Sequence, residues 1–155
     1  MSARIGAIIG LFFALVWLNV GLQAMAGPWR IAVGAAGVIA TIVAGVRAWR
    51  RPLDTGRFDR KWYLIAVAGE LAAMALVGAL FDFHDAPSIM WAIIGIIVGL
   101  HFIGLWRAVD DRRFLWLAGG MTAINIIALA LTPGAGMQML TGFGSSAALV
   151  LAVAA

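Results

Sequence analysis

Glu70 and His101 are the two ionisable side chains that lie deep inside otherwise apolar stretches of the chain. Glu70 is nine residues after Lys61, which places it about 13 Å along a helix from that charged boundary. His101 is six residues before Arg107, about 9 Å from the equivalent boundary. The positions one turn from Glu70 carry no polar side chain. A buried carboxylate needs a partner, so we expect Glu70 to contact His101 on a neighbouring helix.

Two interpretations of this pair follow from the residue types. An acid and a base held together in an apolar layer can fix the register of two helices and do nothing else. An imidazole can also take up and release a proton near neutral pH, so the same pair can handle protons for a solute or substrate. Both interpretations stay open, and Glu70 and His101 are the candidate proton-handling residues.

Uncharged polar side chains occur in three other apolar stretches. Those that could line a path for a solute are Asn19, Gln23, Asn125, Gln138 and Thr141. Hydrogen bonds between helices account for such groups in membrane proteins without any further function. The functional hypothesis is a polar path that enters through Asn19, Gln23 and Gln138 and passes Asn125 to reach the ionisable pair.

Several other chemistries find no support in the sequence. The chain has no cysteine, which excludes disulfides, thiolate catalysis and cysteine-ligated metals. Asp82, His84 and Asp85 share one short loop, and without a second ligand cluster we interpret this loop as a solvated turn. Gly56 stands alone in the basic loop 47–61, which lacks the glycine-rich turn of a phosphate-binding loop. We expect no cofactor, no metal and no nucleic-acid partner.

The elements that must position these side chains are six apolar stretches. Of 155 residues, 64% are hydrophobic and 12% are charged, whereas globular domains carry about 25% charged residues. A bilayer core requires about 20 apolar residues per helix. We predict one all-α integral membrane domain over residues 1–155, a compact bundle of six transmembrane helices. The predicted spans are about 5–26, 29–48, 62–81, 88–106, 114–131 and 137–155.

The positive charges define a topology. Ten of the eleven Lys and Arg residues fall on one side of the predicted helices, and Arg30 alone falls on the other. The ten are Arg4, Arg47, Arg50, Arg51, Arg57, Arg60, Lys61, Arg107, Arg112 and Arg113. Short loops rich in Lys and Arg remain cytoplasmic, so we predict that both termini are cytoplasmic. The preference for arginine over lysine, with abundant alanine and glycine, favours a bacterial inner membrane.

Small residues recur at helical spacing and predict close helix packing, either within the bundle or in a homo-oligomer. A shift of 85 residues also aligns residues 7–10 with 92–95, which have the same sequence, Ala-Ile-Ile-Gly. One hypothesis is a 3+3 inverted repeat, as in many secondary transporters. The other is chance similarity between two stretches rich in alanine, glycine and isoleucine.

Three functions remain open. The first is a small proton-coupled transporter or channel in which the Glu70–His101 pair carries the proton. The second is an intramembrane enzyme that acts on a lipid or isoprenoid by acid–base catalysis, of the isomerase or cyclase type. The third is an accessory or scaffold subunit that needs no site chemistry. The lipid bilayer is the expected partner of all three, and a small solute or a proton is the expected ligand of the first.

Overall fold

The computed structural model describes residues 3–50, 58–82, 86–131 and 133–155, with side chains from residue 6 onward. In these ranges the chain forms six α-helices and no strand. They are α1 (Ala3–Gln23), α2 (Trp29–Arg50), α3 (Arg60–Leu80), α4 (Pro87–Val109), α5 (Arg113–Leu129) and α6 (Ala135–Ala154). The six helices predicted from the apolar stretches are confirmed.

The helices are apolar on the outside as well as the inside. Exposed large hydrophobic side chains lie on all six, with Ile31, Trp116 and Leu151 among the most exposed. Five helices are long and apolar enough to cross a membrane, and α5, at 17 residues, is shorter. Extended apolar surfaces of this kind are rare on soluble monomers.

Consecutive helices run antiparallel where described contacts join them. Gly95 of α4 lies against Asn125 of α5 and, one turn further along, Gly99 lies against Thr122. The same opposed order relates α1 to α2 and α3 to α4. We call the end of the bundle where α3 begins and α4 ends the basic end, because residues 58–62 and 106–113 include Arg60, Lys61 and Arg107.

Helix α6 is the central element, and it packs against α1, α2, α4 and α5. Its closest approach is to α1, where a Cβ atom on Gly142 would overlap the backbone of Gly21. Most of the predicted small-residue positions serve contacts of this kind inside the bundle, as Gly10, Gly37, Gly95 and Gly142 show. Gly69 of α3 differs, because a Cβ atom there would meet nothing within 4 Å.

Helix α3 is peripheral. Among the described residues it packs extensively against α4 alone, and Ala66 is its one buried residue. Helices α4, α5 and α6 all pack against one another, whereas α3 has no comparable contact with α1 or α2. The two halves therefore pack differently, and the inverted repeat stays a hypothesis.

Backbone contacts at the basic end fix α3 to α4. The Asp59 carboxylate caps α3 by accepting hydrogen bonds from the backbone N–H groups of Lys61 at 2.9 Å and Trp62 at 3.3 Å. The backbone N–H of Asp59 donates to the carbonyl of Ala108 at 2.7 Å. Helix α4 then ends at Asp110, which adopts the left-handed conformation with φ 57°. These contacts define how α3 and α4 meet.

Candidate functional site

The structure brings Glu70 and His101 together across the α3–α4 contact. The Nδ1 atom of His101 lies 3.2 Å from Oε2 of Glu70 and 3.2 Å from the carbonyl oxygen of Ala66. Ala66 is one helical turn before Glu70, so the imidazole contacts two oxygens on the same face of α3. The predicted contact between the two ionisable groups is present.

The Ala66 carbonyl determines which imidazole nitrogen carries the proton. A carbonyl oxygen only accepts hydrogen bonds, so Nδ1 must be the donor. The Nδ1–H group is then shared between the Ala66 carbonyl and the Glu70 carboxylate. In the neutral ring, Nε2 is left with a free lone pair. The arrangement therefore makes Nε2 of His101 the basic atom and Glu70 the group that orients the ring.

The pair lies in a groove of about 510 Å³ between two helices, which we call the α3/α4 groove. Trp62, Ile65, Ala66, Gly69, Glu70 and Ala73 of α3 line one wall, and Ile97, Leu100, His101, Ile103, Gly104 and Arg107 of α4 line the other. The spacing of three and four residues on each helix places each set on one face. A Cβ atom on Gly104 would lie 2.5 Å from the Cβ of Ala66, so a glycine is needed for the helices to approach this closely.

The groove opens at the side of the bundle. The side chain of His101 is 9% exposed and that of Glu70 is 21% exposed. Its walls are otherwise mainly apolar, and α3 has no second helix packed over this face among the described residues. A molecule next to the side of the bundle can therefore reach the pair without passing through the interior.

Arg107 lies at the end of the α3/α4 groove nearest the basic end. Its guanidinium carbon is 5.8 Å from the ring centre of Trp62 and 5.0 Å from that of Trp106, which are cation–π distances. Among the described residues, no carboxylate lies within ion-pair distance of Arg107. The groove thus carries a cation at one end and an acid–base pair further in.

A separate polar cluster occupies the interior between α5 and α6. Asn125 is fully buried, and its Nδ2 donates to the Met121 carbonyl at 2.8 Å and to Ser145 Oγ at 3.0 Å. In the part of the chain that the structure describes, three buried oxygens have no hydrogen-bond partner: Thr122 Oγ1, Asn125 Oδ1 and Thr141 Oγ1. Nearby, Gln138 Nε2 donates to the Val20 carbonyl of α1 at 3.1 Å. Helix-to-helix hydrogen bonding explains most of this cluster.

The interior cluster and the ionisable pair lie on different sides of α4. Gly95 and Gly99 face Asn125 and Thr122 of α5, whereas His101 faces α3. Two residues along a helix correspond to a rotation of about 200°, so positions 99 and 101 point in nearly opposite directions. The structure thus places the two groups of polar residues on opposite faces of α4, and the polar path expected from the sequence stays a prediction.

Asn19 and Gln23 also lie apart from the cluster. Both side chains are exposed on the surface of α1, whereas Asn125 and Thr141 are fully buried. The hydrophobic side chains that α1 buries occupy its inward face; they are Ala14, Trp17, Leu18 and Val20. The structure therefore joins Asn125, Gln138 and Thr141 to one interior region and leaves Asn19 and Gln23 outside it. What each residue contributes to function stays a prediction.

Sequence reasoning missed two parts of the groove. The role of the Ala66 carbonyl could not be predicted, because every residue has a backbone carbonyl and the residue type does not show which one accepts a side-chain hydrogen bond. Arg107 was used only to mark the helix boundary and the topology, although its spacing of three from Gly104 and six from His101 places it along the same groove wall. That spacing is the signal that could have assigned it to the site.

Outside the groove, a close ion pair links Asp111 and Arg113 at the start of α5. Arg113 Nε donates to Asp111 Oδ2 at 2.8 Å, and the Arg113 backbone N–H donates to Oδ1 at 3.0 Å. Burial alone would raise the pKa of the Asp111 carboxyl, but the hydrogen bonds and the charge of Arg113 outweigh it and hold that pKa below its ordinary value.

The described part of the chain offers no candidate site for a metal ion. Among the described residues, no three His, Asp or Glu side chains lie together in a way that could hold a metal ion. His84 and Asp85, which the sequence places in a turn, lie outside the described residues. The interpretation of that loop as a solvated turn therefore stays a prediction.

Comparisons with known protein families, with curated proteins and with solved structures found no match.

Proposed function

We propose that the chain is a multi-pass integral membrane protein whose basic end faces the cytoplasm. The support is the apolar outer surface of the helices together with five helices of spanning length. The basic residues at one end of the bundle support the orientation, since positive loops remain cytoplasmic. Composition favours a bacterial inner membrane.

Its function, on this proposal, is to exchange a proton with a molecule dissolved in the membrane. The observation that carries the proposal is the position of the Glu70–His101 pair in a groove that opens at the side of the bundle. In a membrane that side faces lipid, so an apolar substrate enters from the bilayer. An intramembrane ionisable pair of this kind is a functional-site hypothesis by default.

The chemistry assigned to the pair is acid–base catalysis. Nε2 of His101 accepts a proton from a C–H bond that lies between a carbonyl group and a C=C bond of the substrate, and the electron pair of that bond stays on the substrate as a dienolate, with its charge on the carbonyl oxygen. The imidazolium then returns a proton to a different carbon, which moves a double bond and regenerates the neutral ring. Glu70 stabilises the imidazolium and orients the ring through its contact with Nδ1, so it acts as a positioning residue.

Exchange with deuterated water tests this function without knowledge of the substrate. Purified protein is incubated in D2O with a total membrane lipid extract, and deuterium at carbon is measured by mass spectrometry. The wild type should label a subset of lipids. His101→Gln should lower the labelling rate about a hundredfold or more, because general acid–base catalysis contributes 10²–10⁴-fold. Asp110→Asn is the matched control, since it removes a carboxylate outside the groove and Asn tolerates the left-handed conformation of that residue.

The outcomes of this exchange experiment separate acid–base chemistry at the pair from a scaffold function. Labelling that persists at the wild-type rate in both His101→Gln and Glu70→Gln removes the proposed chemistry. Size-exclusion elution of each variant verifies that it is folded. A chain that functions as a scaffold subunit would show no labelling in any form, wild type included.

Proton-coupled transport is the second candidate, and one observation favours it. Because α3 packs extensively against α4 alone, its movement would open or close the groove with little other rearrangement. An inverted repeat would add to this case. In proteoliposomes that contain a pH-sensitive dye, transport predicts solute-dependent proton movement that Glu70→Gln abolishes. Transport requires a gradient to do net work, whereas the exchange reaction proceeds in detergent without one.

A further inference from the structure

We propose that the α3/α4 groove takes a single-chain anionic amphiphile, with its carboxylate or phosphate head group on Arg107 and its chain beside His101. This inference rests on the proposed function and names the substrate class of the same site.

The head-group site is the guanidinium of Arg107. It lies at the groove end beside Trp62 and Trp106, and no carboxylate within the described ranges is close enough to neutralise it. A guanidinium has five N–H donors in a planar fork that matches a carboxylate or phosphate. The flanking indoles hold that fork at the polar boundary of the groove. A positively charged head group would be repelled at this position.

The chain site is the stretch of groove between Arg107 and the pair. It is lined by Ile65 and Ile103, Leu100 lies at the level of the pair, and Gly69 leaves the groove open because a Cβ atom there would meet nothing within 4 Å. The groove volume of about 510 Å³ lies in the range of pockets that bind small molecules. The groove has an apolar wall on each side and is only as wide as the gap between two neighbouring helices. This shape suits a single hydrocarbon chain.

The distance between the two polar sites sets where the proton exchanges. Arg107 and His101 are six residues apart, which is about 9 Å along α4. With the head group on Arg107, the imidazole therefore meets the chain several carbons from the head group rather than the group itself. The reacting position is an internal one.

Photolabelling in nanodiscs of zwitterionic phosphatidylcholine tests the inference. Three probes share one chain that carries a diazirine: a fatty acid, the corresponding alcohol and the corresponding trimethylammonium. The acid should label residues of the α3/α4 groove, and the other two should label them about tenfold less, the ratio expected for one lost charge-assisted contact. Arg107→Gln should lower labelling by the acid to the level of the alcohol, and Arg107→Lys should restore part of it.

Two matched controls separate the groove from general effects. Arg112→Gln removes an exposed cation at the same end of the bundle but outside the groove, and labelling should be unchanged. Gly69→Leu fills the groove and should abolish labelling. Gly78→Leu should not, because Gly78 also borders open space on α3 but lies about 180° around the helix.

Equal labelling by the alcohol or the ammonium probe, or no effect of Arg107→Gln, overturns the inference. Competition by added lysophosphatidylglycerol, which has one chain, identifies a phosphate head group, whereas persistence of labelling identifies a carboxylate; both support an anionic head group on a single chain. Glu70→Gln should keep labelling by the acid. Deuterium exchange tests the proposed function, whereas photolabelling tests the head-group site. Either proposal can therefore fail while the other holds.

Discussion

A single N–H group of His101 contacts both the carboxylate of Glu70 and the carbonyl of Ala66, each at 3.2 Å. The carbonyl cannot donate, so the shared contact fixes the proton on Nδ1. The Glu70 carboxylate alone would not do this, because a protonated carboxyl group could donate to Nδ1 in the absence of the carbonyl. The backbone of α3 therefore contributes to the chemistry of the site.

This contact predicts the tautomer of His101. The chain has two histidines, so His84→Asn leaves one imidazole for ¹⁵N NMR of histidine-labelled protein. In the neutral state we expect the signal of a protonated Nδ1 and an unprotonated Nε2. Glu70→Gln should keep this tautomer, since the Ala66 carbonyl remains in place. A neutral ring with its proton on Nε2 would contradict both the hydrogen-bond assignment and the role given to Nε2.

The sequence predicts much of this fold because the pattern that specifies it is long. Each helix is defined by an apolar stretch of about 20 residues, which far exceeds the uncertainty at its ends. The predicted contact of Glu70 with His101 followed from depth alone, since two charges a similar distance from one boundary lie at a similar level. The distance of a residue from the charged boundary of its helix can therefore be predicted from the sequence.

The direction in which a residue points around its helix axis cannot be predicted from the sequence in the same way. Asn125 and His101 face different neighbours, because α4 turns one set of residues towards α5 and the other towards α3. Almost every position on these helices is apolar, so no polar stripe distinguishes an inward face from an outward one. Asn19 was placed on an interior path for this reason, although it lies on the surface of α1.

The hydrogen bond between Asn125 and Ser145 should stabilise the packing of α5 on α6. Asn125→Ala and Ser145→Ala should each destabilise the fold, and a double-mutant cycle should give a coupling of about 0.6 kcal/mol and no more than about 1.7 kcal/mol, as for other hydrogen bonds between membrane helices. Unfolding in mixed detergent micelles measures the four free energies. Additive effects within about 0.3 kcal/mol would mean that the two side chains do not interact.

The contact of Gly142 with the backbone of Gly21 should tolerate no side chain. A Cβ atom at position 142 meets backbone rather than a flexible side chain, so α1 and α6 must separate. We expect Gly142→Ala to cost about 1–3 kcal/mol in unfolding free energy. Gly136→Ala is the control on the same helix, because it has open space around it and should be neutral or stabilising by up to about 1 kcal/mol. Equal effects of the two substitutions would show that helix propensity, not packing, decides the outcome.

The Asp111–Arg113 pair should make a small, pH-dependent contribution to stability. The pKa of Asp111 is lower in the folded chain than in the unfolded one, so its ionised form favours folding. The contribution is fully present above the unfolded value of about 3.9 and is lost as the pH falls through the lower folded value. Asp111→Asn should therefore destabilise the protein near pH 7, and the gap to the wild type should close as the pH falls below about 4. Partial exposure of both side chains keeps the difference modest.

Thermal unfolding of the two proteins between pH 3 and pH 7 measures this gap, and Asp110→Asn controls for the loss of a nearby carboxylate. A gap that stays constant down to the lowest pH would show that the substitution acts through something other than the ionised carboxylate.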